Sequence, residues 1–180
     1  MMALLLAVSM IAAEPPRQVQ VIIKQEHRIR NKDGSCVWCS LTTLCLHNRV
    51  PNGYKLYPSF KYGASPDMAV KAMMTKKIAF YFQPKKTYQT HLIRWACKNG
   101  YGCAIGTDGH VLVLVHYEAE FVRVIDNSGQ HALKVRKWSK EKFWREWNGL
   151  VYVVLPNVIY GPKSRLNPKF KPLPSPKKNR

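Results

Sequence analysis

The chain has 180 residues, of which 46% are hydrophobic, and carries 29 Lys and Arg against 10 Asp and Glu, for a formal charge of +19. That apolar content fills one globular core and excludes two. The charge predicts a strongly positive surface field, open to anionic partners, and the odd count of five Cys leaves at least one thiol unpaired in an oxidising compartment.

The first apolar run, Met2 to Ala13, is too short to cross a bilayer and stops at Glu14-Pro15-Pro16. Residues 1–13 therefore read as a signal peptide, which predicts a protein that is secreted or periplasmic after cleavage. The run lacks a preceding basic residue and places Ile11 where a small residue is preferred, so an uncleaved membrane anchor is the alternative. No other stretch approaches the roughly 18 apolar residues of a membrane helix, and the mature body is expected to be soluble.

Gln18 to Ile23 alternates like a strand and begins the expected domain, residues 18–156; Arg28 to Gly34 is a polar turn. From Cys36, apolar residues at 37, 41, 44 and 45 predict a first helix, with Asp33 and Ser35 available as caps and Asn48 near its stop. Arg49 to Gly63 reads as a loop. Ser65-Pro66-Asp67 opens a second helix to about Lys76, Ile78 to Gln83 is extended, and Thr90 to Lys98 is a third helix ended by Asn99-Gly100. Short apolar runs then follow at 102–105, 111–115, 121–125, 132–135 and 150–155, interrupted by a helix capped by Ser139 with Phe143, Trp144 and Trp147 as its stripe. Helices first and strands second predict an α+β domain with an antiparallel sheet. The last stretch, 161–180, holds seven Lys or Arg, five Pro and no acid, and is expected to be a disordered tail, either solvated or held on an anionic polymer or surface.

A thiol attacks only as thiolate, which the free N–H groups and dipole of a helix N-terminus favour. Cys36 has that placement; Cys39 and Cys45 do not. His110 follows the turn Thr107-Asp108-Gly109 and opens the strand HVLVLV, where a base is held rigidly at the strand mouth. If 116 faces 121 across the next hairpin, 110 faces 127; a register shifted by one residue makes the partner 126. Either Asp126 or Asn127 therefore sits beside His110, completing a nucleophile, a base and an orienting group.

A Cys at the start of a helix, a later His opening a strand, and an Asp or Asn after the next strand give an order that resembles the papain-like cysteine peptidases. GSCVWCSL, GHVLVLV and VIDNSG are similar to the compact branch that includes the bacteriocin-processing, double-glycine leader peptidases, over roughly residues 25–155. The resemblance implies the papain-like fold, with N-terminal helices packed on a C-terminal antiparallel sheet. It also implies a cysteine peptidase that hydrolyses peptide bonds in a peptide or protein substrate through a Cys36-His110-Asp126 triad and an acyl-enzyme, without a cofactor. Asn127 is the rival to Asp126, since larger relatives use Asn. The Gln that usually precedes the Cys is missing; the nearest amide, Asn31, is the candidate oxyanion donor together with the Cys36 N–H. Two other readings stand beside this one: a catalytically silent domain that binds an anionic polymer, and a cell-wall peptide amidase.

The remaining candidates point away from other chemistry. Cys36-Val-Trp-Cys39 with Cys97 and Cys103 lacks the paired knuckles of a zinc site, so no metal is expected. Cys97 and Cys103 are read as either a small disulfide loop or two buried thiols. His116 shares a strand face with His110 but lies too far along it to join one site. Trp138, Trp144 and Trp147 follow an amphipathic stripe and read as packing, which makes a nucleic-acid partner unlikely.

Overall fold

The computed structural model describes residues 21–59 and 63–156. The expected signal segment and basic tail lie outside the described residues, as does most of the expected first strand. Val21 and Ile23 are buried with Ile22 exposed between them, and the Val21 N–H donates to Val115 O over 3.3 Å, so the alternation continues at the edge of the described region.

Five α-helices occur among the described residues: α1 (Cys36–His47), α2 (Leu56–Ser59), α3 (Pro66–Thr75), α4 (His91–Lys98) and α5 (Lys140–Glu146). The strands are β1 (Phe80–Gln83), β2 (Cys103–Thr107), β3 (His110–Tyr117), β4 (Phe121–Ile125), β5 (Val135–Ser139) and β6 (Trp147–Val154). They form one antiparallel sheet in the order β1-β6-β2-β3-β4-β5. This is the expected α+β arrangement of helices packed on a mainly C-terminal sheet.

Both faces of the sheet are covered, which explains why β3 reads as a nearly unbroken apolar run. Val111, Val113 and Val115 face a core built with α1 and α3, whereas Leu112 and Leu114 face a second core built with α4, Phe143 and Trp147. The helix α1 runs through the first core with ten of its twelve residues buried, so its apolar positions show little stripe and Trp38, Leu41 and Leu44 are essentially inaccessible. Truncating Leu41 or Leu44 there costs about 2–5 kcal/mol.

Local signals set most boundaries. Ser65 accepts from Met68 N–H at the start of α3, and Ser139 accepts from Lys142 N–H at the start of α5. Two boundaries differ from expectation. The strand placed at 132–135 lies at 135–139 instead, because it is an edge strand in which only Trp138 is buried, so its charged residues mask the strand pattern. Trp147 begins β6 rather than continuing α5, although its ring stacks on Phe143 at 5.1 Å as the stripe required. The segment 49–63, read as a loop, also contains the short α2.

Candidate active site

The first functional element is the N-terminus of α1, where Cys36 is the first helical residue. The turn before it is fixed by Asn31, whose side-chain oxygen accepts from Ser35 N–H at 2.8 Å and Asp33 N–H at 3.3 Å. Ser35 is buried and turns its hydroxyl to the Asp33 carboxylate instead of capping the helix. The first turn contains no acidic residue, so the partial positive charge of the helix end is left for whatever anion sits there.

The second element is the β2–β3 hairpin. Thr107 pairs with His110 across Asp108-Gly109, and Gly109 has φ of +69°, a backbone state that costs glycine nothing. This tight turn delivers His110 to the mouth of the strand with its side chain about one quarter exposed (24%).

The third element is the turn after β4. Its hairpin with β3 is offset from either expected register: Tyr117 pairs with Val122 across the four residues 118–121, and the register then shifts between Leu114 and His116 before Val113 pairs with Ile125. Continued from the Val113–Ile125 pair, that register brings His110 beside the turn 126–128. His110 Nε2 meets Asp126 Oδ1 at 2.9 Å. Asn127, the rival, faces the interior: its Nδ2 donates to Cys36 O (2.9 Å), Ser40 Oγ (2.8 Å) and Val111 O (3.1 Å). The two neighbours thus divide the work by pointing to opposite sides. Asp126 addresses the imidazole, and Asn127 ties α1 to β3 behind Cys36.

Ser128 was not singled out from the sequence. Its N–H donates to Asp126 Oδ1 at 3.0 Å, and its hydroxyl lies 3.2 Å from both that oxygen and His110 Nε2. Asp126 Oδ2 also has Arg136 Nη1 at 3.9 Å. The signal available in the sequence was the Asp-x-Ser spacing, which favours a local turn closed on the Asp side chain.

The electrostatics follow from these contacts. Burial pushes the Cys36 thiol up, but a hydrogen bond from His110, the charge of that ring, and the backbone N–H groups of Val111 and Val37 outweigh it and hold Cys36 below its ordinary value. Burial pushes His110 down, yet Asp126 and Cys36 raise it to about 9. Asp126, also pushed up by burial, is held below the ordinary carboxylate value by His110 and Ser128. The arrangement favours a thiolate–imidazolium pair. The other thiols behave oppositely: burial lifts Cys39, Cys45 and Cys97 to about 12 and Cys103 well above the usual thiol value. All five Cys are free thiols, which resolves the Cys97–Cys103 alternative toward two buried thiols.

Cys36 and His110 open onto a cleft of about 190 Å³. Gly34, Gly63, Ala64 and Gly109 keep its walls low, and Lys85 and Asn148 lie at its sheet side. His116 is at the far end of β3, buried and bonded through Nε2 to Glu118. Among the described residues no group of three His, Cys, Asp or Glu is placed to hold a metal ion, and no helix is long and apolar enough to cross a membrane.

No known family profile matches the chain, and no curated protein matches it in sequence. Among solved structures it is similar to a double-glycine motif protease from an AMS/PCAT transporter, crystallised with the leader peptide. The likeness has a TM-score of 0.55 at 16% identity and covers 77% of this chain and 94% of that one. At such identity the fold is what is shared: the chain has the papain-like cysteine peptidase fold in the compact form of the double-glycine peptidases.

Proposed function

We propose that the chain is a cysteine peptidase in which Cys36, His110 and Asp126 act as nucleophile, acid–base and orienting residue. The observation that carries this reading is the meeting of Cys36 and His110 on one cleft with Asp126 on the imidazole, the thiol lowered by His110 and the imidazole raised by Asp126 and Cys36. The Cys36 thiolate attacks the carbonyl carbon of a bound peptide. The oxyanion that forms is met by the Cys36 N–H at the free helix end, with Asn31 as the candidate second donor. His110, protonated, gives its proton to the leaving amine, and an acyl-enzyme remains on Cys36. His110, now neutral, takes a proton from water, which attacks the thioester and restores the thiolate. Asp126 keeps Nε2–H engaged, so that Nδ1 is the nitrogen that exchanges the proton with sulfur and substrate.

The low walls of the cleft suit an extended peptide with small side chains at the scissile bond, and the similar double-glycine motif protease was crystallised in complex with a leader peptide. The test is digestion of a proteome-derived peptide library, with new termini read by mass spectrometry. Cleavage by the native chain that disappears in Cys36→Ala and in His110→Ala supports the reading. Cleavage that survives Cys36→Ala, or none by the native chain, overturns it.

A further inference from the structure

The helix α1 carries a second thiol that the proposed hydrolysis leaves unused. Cys39 follows Cys36 by three residues, one helical turn into α1, and is fully buried. Residues i and i+3 share a helix face, and side chains lean toward the N-terminus, so the Cys39 side chain is directed back toward Cys36. Cys39 feels the charge of Cys36, as this placement requires. Helical geometry sets their Cα atoms about 5 Å apart, inside the roughly 4.4–6.8 Å that a disulfide spans. Drawing the sulfurs together tightens only the first turn, where few intrahelical hydrogen bonds exist to be lost.

The other thiols are out of reach. Cys45 lies nine residues beyond Cys36 on α1, about 13 Å along the axis, and Cys97 and Cys103 belong to the core on the opposite face of the sheet. The pair is also asymmetric in access. Cys36 lines the cleft, where a small oxidant can meet it, whereas Cys39 is fully buried and held protonated by burial.

We propose that Cys39 is a resolving thiol for Cys36, so that a hydroperoxide converts the site reversibly into a Cys36–Cys39 disulfide. In the first step the Cys36 thiolate attacks the terminal oxygen of the hydroperoxide. An S–O bond forms, the O–O bond breaks, the sulfur loses two electrons, and the alcohol or water leaves with a proton from the His110 imidazolium. In the second step the Cys39 sulfur attacks the sulfenic sulfur. The S–S bond forms, the S–O bond breaks, and the hydroxyl departs as water with the Cys39 proton. Proximity compensates for the protonated state of the attacking thiol. A dithiol reductant returns both electrons and restores Cys36. The disulfide silences the nucleophile while sparing it the irreversible sulfinic acid.

The proposal rests on Cys36 being the reactive thiolate, as the peptidase reading holds, but not on what the site hydrolyses. It is tested on the full chain, reduced and then treated with hydrogen peroxide, by intact mass and non-reducing peptide mapping. The native chain should lose two hydrogens, map to Cys36–Cys39, and recover its mass with dithiothreitol. Cys39→Ala should instead gain oxygen at Cys36 and trap the sulfenic acid with dimedone about tenfold more strongly than the native chain. A native chain that accumulates sulfinic acid at Cys36, or whose disulfide maps to another pair, overturns the proposal. The native map decides alone should Cys39→Ala fold poorly, and no mass readout depends on a peptide substrate.

Discussion

Replacing Asp126 by Asn separates charge from geometry at His110. The side chain keeps an oxygen that accepts from His110 Nε2 and Ser128 N–H, so the tautomer and the turn survive, while the negative charge is lost. In the native site His110 rises from 6.5 to about 9, a preference for the imidazolium of about 3 kcal/mol at 1.36 kcal/mol per pH unit. The ring is partly exposed and shares this preference between Asp126 and Cys36, so the Asp126 charge accounts for about half of it, or about one pH unit. A group with a raised value keeps its proton until the pH passes that value. The thiolate–imidazolium pair therefore exists from the lowered Cys36 value up to about 9 in the native chain. In Asp126→Asn the alkaline limit of kcat/KM should move about one pH unit toward acid. The rate should fall about ten- to a hundredfold, less than in a serine triad, because a thiolate needs no proton removed at the moment of attack. The pH profile of kcat/KM, with His110 followed by NMR titration, measures both. An alkaline limit that stays in place while the rate collapses would refute the electrostatic role given to Asp126.

Ser128→Ala removes one hydroxyl contact from Asp126 while leaving the backbone N–H, and should lower kcat/KM about fivefold, the worth of one modest hydrogen bond, with KM unchanged; equal activity would make the hydroxyl a bystander. Asn127→Ala strips donors from Cys36 O, Ser40 Oγ and Val111 O in the core and should cost about 2–4 kcal/mol in urea unfolding; a loss below about 1 kcal/mol would mean that water replaces the amide. Stability should also follow pH in two limbs. The lowered Asp126 contributes above its ordinary carboxylate value and is lost as pH falls through its folded value, and the raised His110 contributes below 6.5 and is lost as pH rises through about 9. A scan of Tm against pH should show both limbs in the native chain and a weaker alkaline limb in His110→Ala; identical profiles would contradict the assignment.

The parts of the site that were legible in the sequence are those set by short-range signals. Cys36 could be placed at a helix start because Ser35 and the apolar spacing after it define that start, and His110 at a strand mouth because Asp108-Gly109 is a two-residue turn. Spacing alone left Asp126 and Asn127 open, with the resemblance pointing to Asp126, because the register depends on where the hairpin closes and on a bulge near Val115 that no local residue announces. Ser128 was hidden for the same reason, its role arising from how the turn 126–128 closes. Asn31 sits ahead of Cys36, where its side-chain oxygen braces the Asp33–Ser35 turn, an arrangement its spacing from Cys36 did not announce. Coverage of both sheet faces was likewise implicit in the unbroken β3 run and explicit only once α4 and α1 are seen on opposite sides.

The central claim, a Cys36 thiolate held by His110, is tested most directly by alkylating the native chain with iodoacetamide at pH 6.5 and locating the adduct by mass spectrometry. Cys36 alone should be modified, since the other four thiols are more deeply buried and pushed up by that burial, Cys39, Cys45 and Cys97 to about 12 and Cys103 well above the usual thiol value. The rate should fall at least about tenfold in His110→Ala, which removes the partner that holds the thiol ionised. Labelling spread evenly over the five Cys, or a Cys36 rate indifferent to His110, would contradict the account.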